Sequence, residues 1–449
     1  MDNIIDMVGM LKTNLFEAYY DARRHKRNTV NQLKFEVNFE RELLLLYDEI
    51  INRNYKPRPS ICFIVDVPVK REVFAADFRD RVIHHLLCGY INPIFEDLFI
   101  EDSYSCRKGK GTLYGIQRVD GFIRECSENY TRDCHILKLD IRGYFMNIDK
   151  NILASQLEEL LTEDRIHKAY GDNPQPDWEI VRYLIKEIIY QDVKQDCIIK
   201  GINSDWNGLP RSKSLFHVPA GKGLPIGNLT SQLFSNVYMH IFDSFISSYP
   251  GIEYYGRYVD DFVIVHRDKI FLKKLIPQIR DFLAANLRLE IHPNKIYLQH
   301  YTKGVTFLGA VIKPNRTYAA NRTVSHFKKT LHTYNRRLRN EEPPSKDELL
   351  KMRATVNSYL GVMRHFKTYN LKKKILLGRP NELFRYGYFT AHLNNYKLHG
   401  KTKKEITNMD IPFPIPVPQY NEEELKNNDA SNKIENIENI YDAQNNYAF

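Results

Sequence analysis

The sequence lacks the features that define several classes of protein. Its six cysteines form no CxxC pair and have no paired histidine spacing near them, which argues against a thiolate metal site or a disulfide framework. No apolar run is long enough to cross a bilayer, and the opening residues lack the continuous apolar segment of a signal peptide. We therefore expect reduced thiols, no membrane partner and a cytoplasmic location.

Positive charge is in excess and is unevenly distributed. The 449 residues carry a formal net charge of +10, with 43% hydrophobic and 27% charged residues, as in a globular protein of two or three domains. Residues 322–374 contain fourteen Lys or Arg and four acidic residues, whereas residues 421–449 contain seven acidic residues and two Lys. This concentration predicts a polyanionic partner rather than a merely soluble basic surface.

The pattern of helix and strand signals predicts four regions. Residues 1–60 are expected to form a helical N-terminal extension. Residues 61–320 mix short strands with helices without regular βαβ alternation, which predicts an α+β fold. Residues 321–400 contain amphipathic helices with a basic face. Residues 401–449 combine a proline linker with an acidic, Asn-rich tail, for which we expect disorder.

Three aspartates stand at the ends of strand-like segments. In GRYVDDFVIVH, Asp260 and Asp261 lie between two such segments, and in HILKLD, Asp140 ends an alternating apolar strand. Adjacent carboxylates repel each other unless water or a cation compensates, so the first stretch is either a solvated turn or a metal site. Three carboxylates from two distant strands can hold two divalent cations, and Mg²⁺ suits such an all-oxygen site.

The order of several motifs resembles the palm of a reverse transcriptase. LDIRGYF, GLPIGNLTSQ and YVDD follow one another as in that family, with KREVFAADFRDRVIHHLL and DSYSCRKGKGT upstream and LEIHPNKIYL and GVTFLG downstream. The resemblance covers most of the chain, from the first strand-like segment to the basic helices. It implies a right-hand polymerase, with an antiparallel sheet in the fingers and palm of residues 61–320 and an α-helical thumb in residues 321–400.

The resemblance also implies roles for individual residues. Asp140, Asp260 and Asp261 would bind two Mg²⁺ ions, with Mn²⁺ as a substitute, and Lys295 would protonate the departing pyrophosphate. Around the incoming nucleotide it places Lys70, Arg71, Phe145, Ile226, Gly227, Gln232 and Tyr258, and in a primer grip Phe307, Leu308 and Gly309. Phe145 would exclude a ribose 2′-hydroxyl group, and Arg71 would meet the triphosphate. Taken singly, Phe145 also fits a core position and Lys295 a solvated surface charge.

The fourth motif departs from the common reverse transcriptase pattern. Ile226 stands where most members have Gln, and Gln232 where most have Pro. Because Ile neither donates nor accepts a hydrogen bond, we expect weaker checking of the base pair. This variant, with LPRSKSLF, GKG and NSYLGVMRHFKTYNLKKKI, resembles reverse transcriptases of diversity-generating retroelements, which are bacterial relatives of group II intron enzymes.

That narrower resemblance implies that a template-repeat RNA is copied with misincorporation opposite adenine. The implied partners are the RNA template, a DNA or RNA primer, dNTPs and a small basic accessory protein, with the basic helices gripping the template–primer duplex. Two alternatives are a phage-defence reverse transcriptase that copies a non-coding RNA, and a catalytically idle RNA-binding protein, against which the intact aspartates argue. The acidic tail would compete with nucleic acid or be inert, and we favour the inert interpretation.

Overall fold

The computed structural model describes residues 2–24, 29–66 and 69–400, and only the backbone of residues 2–8. The described chain divides into two compact units, residues up to Tyr301 and residues from Thr302. The predicted linker and acidic tail, residues 401–449, lie outside the described residues. No helix within the described ranges is both long and apolar enough to span a membrane.

The first unit mixes helices and strands, as the sequence predicts. Its helices are α1 (Asp2–Arg24), α2 (Val30–Glu36), α3 (Phe39–Ile51), α4 (Phe78–Glu96), α5 (Thr112–Cys126), α6 (Tyr144–Asn147), α7 (Lys150–Leu160), α8 (Glu163–Tyr170), α9 (Trp178–Tyr190), α10 (Leu229–Ser247) and α11 (Lys269–Leu287). Its strands are β1 (Ser60–Val65), β2 (Arg71–Ala75), β3 (His135–Asp140), β4 (Cys197–Ile199), β5 (Tyr254–Tyr258), β6 (Asp261–His266) and β7 (Tyr297–His300). Four of the helices begin where an Asp side chain accepts from first-turn amides, at Asp77, Asp149, Asp177 and Asp268.

A four-stranded antiparallel sheet in the order β5-β6-β3-β7 forms the centre of this unit. Most side chains of β3 and β6 are apolar and are covered by other elements of the unit. Leu137 and Leu139 of β3, for example, are completely buried. On β6, Phe262 packs edge-on against Phe242 of α10, with 5.0 Å between the ring centroids. The helices therefore cover the sheet. The C-terminal end of β3 lies beside the N-terminal end of β6, because these two inner strands run antiparallel.

A second, smaller sheet has the order β2-β1-β4. β1 pairs antiparallel with β2 and parallel with β4, so β2 is an edge strand of this sheet. Between β4 and α10 the chain forms only short 3₁₀ turns, at Asn203–Trp206, Arg211–Lys213 and Leu215–His217. These turns pack near β2, whose outer edge they help to cover.

The second unit contains both strands and helices. They are β8 (Val305–Phe307), β9 (Ala310–Lys313), β10 (Arg316–Ala319), α12 (Asn321–Leu338), α13 (Lys346–Met363), α14 (Tyr369–Leu376), β11 (Gly387–Phe389) and β12 (Tyr396–Leu398). Phe327 and Leu331 of α12 share an apolar core with Met352 and Val356 of α13. A capping box between Ser345 and Glu348 begins α13.

The division between the compact units differs from the predicted end of the palm at residue 320. Strands β8, β9 and β10 pair only with one another among the described strands, and the division precedes them, between Tyr301 and Thr302. The physical reason is that their hydrogen bonds close a separate three-stranded sheet. The functional boundaries of fingers, palm and thumb remain a prediction.

Candidate active site at the β5–β6 hairpin

The turn between β5 and β6 consists of two residues, Val259 and Asp260. The strands resume at once, because Tyr258 pairs with Asp261 across the turn. Val259 has a φ of 55°, in the left-handed region that a β-branched residue rarely adopts. Its carbonyl oxygen accepts a hydrogen bond of 2.9 Å from Arg257 Nη1. The neighbouring side chain thus stabilises an unfavourable backbone conformation at this turn.

The structure places the three predicted aspartates together where the inner strands β3 and β6 meet the hairpin turn. We call this group, Asp140, Asp260 and Asp261, the carboxylate edge. Asp140, the last residue of β3, is directly opposite Asp261, the first residue of β6. Side chains so opposed have Cβ atoms about 4.5–5.5 Å apart. Asp260 is held beside them, because its carbonyl oxygen accepts a hydrogen bond of 3.2 Å from Ile141 N.

Two lysine side chains contact these carboxylates. Lys295 Nζ lies 2.8 Å from both carboxylate oxygens of Asp140, and Lys138 Nζ lies 3.2 Å from Asp261 Oδ1. Lys295 comes close because His292 N donates a 2.7 Å hydrogen bond to the carbonyl oxygen of Asp140. Lys138 was missed by the sequence analysis, although the two-residue spacing from Asp140 puts both on one face of β3.

Negative charge exceeds positive charge at this edge. Burial, with repulsion from Asp140 and Asp261, raises the pKa of Asp260 to about 7. Burial also raises the pKa of Asp261, an effect that the Lys138 ammonium group opposes and the Asp140 carboxylate reinforces. Full ionisation of the three carboxylates near neutral pH therefore requires additional positive charge.

The chemistry of these side chains fits a hard divalent cation. All the donors are carboxylate oxygens, and the charged group nearest to Asp261 Oδ1 is the Lys138 ammonium group, 3.2 Å away. Across residues 9–24, 29–66 and 69–400, no three His, Cys, Asp or Glu side chains are already grouped around one ion position. Asp140 and Asp261 contact lysines instead, so they must exchange these partners to bind a cation.

A second ionic cluster adjoins the same hairpin. Arg257 and Asp243 are both completely buried, and Arg257 Nε and Nη2 donate to the two carboxylate oxygens at 2.7 and 2.5 Å. Tyr255 donates a third hydrogen bond to Asp243, of 2.6 Å, and the other arginine donors reach Val259 O and Ser103 Oγ. The sequence analysis missed this pair. Its only signal was a single charge in each of two otherwise uncharged elements, Arg257 in β5 and Asp243 in α10.

Phe145 and Ile226 lie against one apolar cluster. Both are partly exposed and pack on a group of buried side chains, Cys62, Phe74, Met146, Val193 and Leu215. The carbonyl oxygen of Ile226 accepts a 2.9 Å hydrogen bond from Phe74 N at the free edge of β2. At the next residue, Gly227, φ is 128° and a Cβ atom would lie 2.9 Å from the carbonyl oxygen of Phe74. Only glycine allows this close approach.

The two predicted basic residues of the nucleotide site have different surroundings. The side chain of Arg71 makes no hydrogen bond or ion pair with the residues that the structure describes, although its backbone pairs with Val65 in the β1–β2 ladder. Burial raises the pKa of Tyr258 and the positive charge of Arg71 opposes the rise, so the guanidinium lies near the hairpin. Lys70 Nζ instead donates to the carbonyl oxygens of Asp205 and Asn207, at 2.8 and 2.9 Å.

The remaining predicted residues lie in two different places. Gln232 is half-buried in the first turn of α10. Phe307 is buried at the end of β8, and Leu308 and Gly309 form the turn to β9, with φ values of 48° and 81°. Two successive positive φ values are those of a type I′ hairpin turn. Since this hairpin belongs to the second compact unit, its role as a primer grip remains a prediction.

The antiparallel sheet with acidic residues at its central hairpin defines a polymerase of the right-hand type. The family model "Reverse transcriptase (RNA-dependent DNA polymerase)" matches residues 71–312, which is more than half of the chain. The chain therefore belongs to the reverse transcriptase family, and it is an RNA-directed DNA polymerase.

Individual known proteins are more distantly similar. Protein YkfC of Escherichia coli (strain K12) is 22% identical over 334 residues, which are 66% of this chain and 78% of that protein. Telomerase of Candida albicans, solved with a TWJ fragment of telomeric RNA, is 11% identical with a TM-score of 0.40 and covers 73% of this chain. Apo telomerase of Candida tropicalis is 12% identical with a TM-score of 0.42 and the same coverage, 73%. The chain spans 55% and 59% of these two telomerase chains.

Proposed function

We propose that this polymerase copies a dedicated RNA template into cDNA, adding dNTPs to a DNA or RNA primer at Asp140, Asp260 and Asp261. The observation that carries the proposal is the crowding of three carboxylates at one sheet edge, with the pKa of Asp260 raised to about 7. A strained turn and like charges at one place are costly to the fold, and such costs are characteristic of functional sites.

The aspartates hold divalent cations, Mg²⁺ or Mn²⁺, which when bound would stabilise the attacking 3′-oxygen and the leaving pyrophosphate. Asp260 must give up its proton to act as a ligand, and a pKa of about 7 lets it do so near neutral pH. Lys295 Nζ would donate a proton to a pyrophosphate oxygen after leaving the two carboxylate oxygens of Asp140 that it contacts.

The nucleotide is selected by side chains around the same edge. Phe145 excludes a 2′-hydroxyl group by steric contact, and the guanidinium of Arg71 binds triphosphate oxygens. Gly227 allows the backbone to approach the nucleotide, and Gln232 and Tyr258 complete the pocket. Lys70 can assist only after it leaves the carbonyl oxygens of residues 205 and 207.

We further propose that copying is error-prone opposite adenine, as in diversity-generating retroelements, with a small basic accessory protein as partner. The supporting observation is that Ile226 packs on the apolar cluster beside Phe145. An apolar side chain there offers no hydrogen bond with which to test the geometry of a new base pair.

Primer extension followed by sequencing tests this proposal. The purified chain is given Mg²⁺, dNTPs and a primed RNA template containing all four bases. Errors should concentrate opposite adenine, and Ile226→Gln should reduce them several-fold. Leu229→Gln, which changes a partly exposed Leu nearby, serves as the matched control and should leave the error spectrum unchanged.

Two outcomes would contradict parts of the proposal. Accurate copying by the wild type would remove the diversity-generating role and favour the defence enzyme. An unchanged error spectrum in Ile226→Gln, with errors still concentrated opposite adenine, would remove only the role of Ile226.

A further inference from the structure

Glu72 is a buried carboxylate that the proposed mechanism does not use. It is 1% exposed on β2, next to Arg71, and alternation along a strand directs the two side chains to opposite faces. Glu72 Oε2 accepts hydrogen bonds from Trp206 Nε1 at 2.7 Å and Ser214 Oγ at 2.8 Å. Its Oε1 accepts one from Leu215 N at 2.7 Å. A single carboxylate thus binds three groups of one loop.

These three donors belong to residues 203–218, which we call the strap. The strap contains 3₁₀ turns but no α-helix or β-strand, so few regular backbone hydrogen bonds hold it in place. Lys70, the residue before β2, donates two further hydrogen bonds to carbonyl oxygens of the strap. Both residues offer charged groups, but Glu72 accepts three hydrogen bonds from the strap and is the more deeply buried of the two, so we take it as the main anchor.

The strap contributes to the apolar cluster on which two side chains of the proposed nucleotide pocket lie. Leu215 is a member of the buried cluster on which Phe145 and Ile226 lie. Next to Phe145, Gly143 approaches the strap so closely that a Cβ atom there would be 3.3 Å from the carbonyl oxygen of Ser212. The strap is therefore in contact both with the cluster and with the turn that leads into α6.

Backbone hydrogen bonds connect the residues after the strap to the same pocket. Leu224 N donates to the carbonyl oxygen of Phe145 at 2.9 Å, and Phe74 N donates to that of Ile226 at 2.9 Å. The positions of both pocket side chains thus depend on one layer made of β2, the strap and the segment that follows it. A displaced strap would remove Leu215 from the cluster and so weaken the packing on which Phe145 lies.

We propose that the strap, anchored by Glu72, determines how strictly the enzyme discriminates between deoxyribonucleotides and ribonucleotides. Glu72 is a positioning residue, acting through Phe145 and Ile226 without touching the nucleotide. The proposal rests on the proposed role of Phe145 as the group that excludes the 2′-hydroxyl.

The test compares kcat/KM for a dNTP with that for the matching rNTP, on one primed RNA template. The variants are Glu72→Gln, which replaces one of the two acceptor oxygens by an NH₂ group and so opposes at least one of the three donors, and Trp206→Phe, which removes only the indole N–H. Glu187→Gln is the control, because it removes a carboxylate whose partner, Lys56, is exposed and remote in sequence from the strap. A loss of folded protein lowers both constants equally, so the ratio reports pocket geometry alone.

We expect Glu72→Gln to reduce the dNTP-to-rNTP ratio about tenfold and Trp206→Phe to reduce it about threefold. Hydrogen exchange of the Leu215 amide should accelerate in Glu72→Gln, since its acceptor is weakened. An unchanged ratio in both variants would overturn the proposal. If Glu72→Gln does not fold, Trp206→Phe decides, since it keeps an aromatic ring against Phe216.

Phe145→Val separates failure of this inference from failure of the proposed function. A lower ratio in Phe145→Val with wild-type ratios in both strap variants would refute the strap alone. An unchanged ratio in Phe145→Val would refute the role of Phe145 on which the inference rests.

Discussion

Two ionic clusters adjoin the β5–β6 hairpin, and they differ in how their charges are balanced. The Arg257–Asp243 pair has equal and opposite charges, is completely buried, and uses both carboxylate oxygens in hydrogen bonds from Arg257 and Tyr255. Its remaining donors reach Val259 and Ser103. This cluster has no unused group to offer a substrate.

The carboxylate edge is the opposite case. Three carboxylates, of buried Asp140 and of half-buried Asp260 and Asp261, face only two ammonium groups among the described residues, those of Lys295 and Lys138. Burial, together with repulsion from Asp140 and Asp261, raises the pKa of Asp260 to about 7. Breaking a buried pair whose partners are all satisfied destabilises a fold, whereas an excess of like charges is characteristic of a candidate cation site.

The largest effect is expected from Asp260→Asn. Extension of a primed RNA should fall more than a thousandfold, because a carboxylate ligand is lost from the proposed metal site. The free energy of unfolding of the metal-free protein at pH 8 should not fall, because the substitution removes repulsion. Extension rates and thermal unfolding measure the two outcomes, and a variant that extends within tenfold of the wild type would contradict the assignment.

The next largest effect is expected from Asp243→Asn. It leaves Arg257 charged and buried without its partner, so the free energy of unfolding should fall by about 3–5 kcal/mol. Urea unfolding of the wild type and the variant measures this. Glu187→Gln, which breaks a partly exposed ion pair with Lys56, should cost less than about 1 kcal/mol. If Asp243→Asn were no more costly than this control, the buried pair would not be a structural anchor.

The last expected effect is a change of stability with pH. Because the folded-state pKa of Asp260 is about 7, above its ordinary value of 3.8, the folded chain binds this proton more tightly than the unfolded chain does. The stability that this group contributes is fully present below pH 4 and is lost as pH rises to 7, by at most about 1.4 kcal/mol per pH unit.

Urea unfolding of the metal-free wild type and of Asp260→Asn from pH 4 to pH 8 isolates this effect. As pH rises, the free energy of unfolding of the wild type should fall relative to that of Asp260→Asn, because Asn has no proton to lose. If the free energies of unfolding of the two proteins changed equally with pH, the pKa of Asp260 would not be raised. The difference in charge balance between the two clusters would then not be supported.

Local patterns in the sequence predicted much of the first unit. Alternation in HILKLD identified β3, and the run after Asn228 identified α10, because both elements bury most of their side chains. The three aspartates could be grouped because Asp140 ends β3, Asp261 begins β6 and Asp260 lies in the turn directly before it. Membership of the reverse transcriptase family agrees with the motif order found in the sequence.

Contacts between distant segments could not be predicted in the same way. Glu72 accepts hydrogen bonds from residues more than 130 positions away, and no pattern near β2 indicates them. The pairing of Arg257 with Asp243 also depends on tertiary packing, although each is an isolated charge in an apolar element. The division at Tyr301 follows from strand pairing, which the sequence of β8 alone does not determine.

The central claim is that the carboxylate edge is a divalent-cation site for RNA-directed DNA synthesis. The most direct measurement is extension of a primed RNA template by the wild type at increasing Mg²⁺ concentrations, with RNA binding recorded in parallel. We predict cDNA synthesis that rises with Mg²⁺ and disappears with a chelator while RNA binding persists. A folded, RNA-binding protein that extends no primer at any Mg²⁺ or Mn²⁺ concentration would contradict the claim.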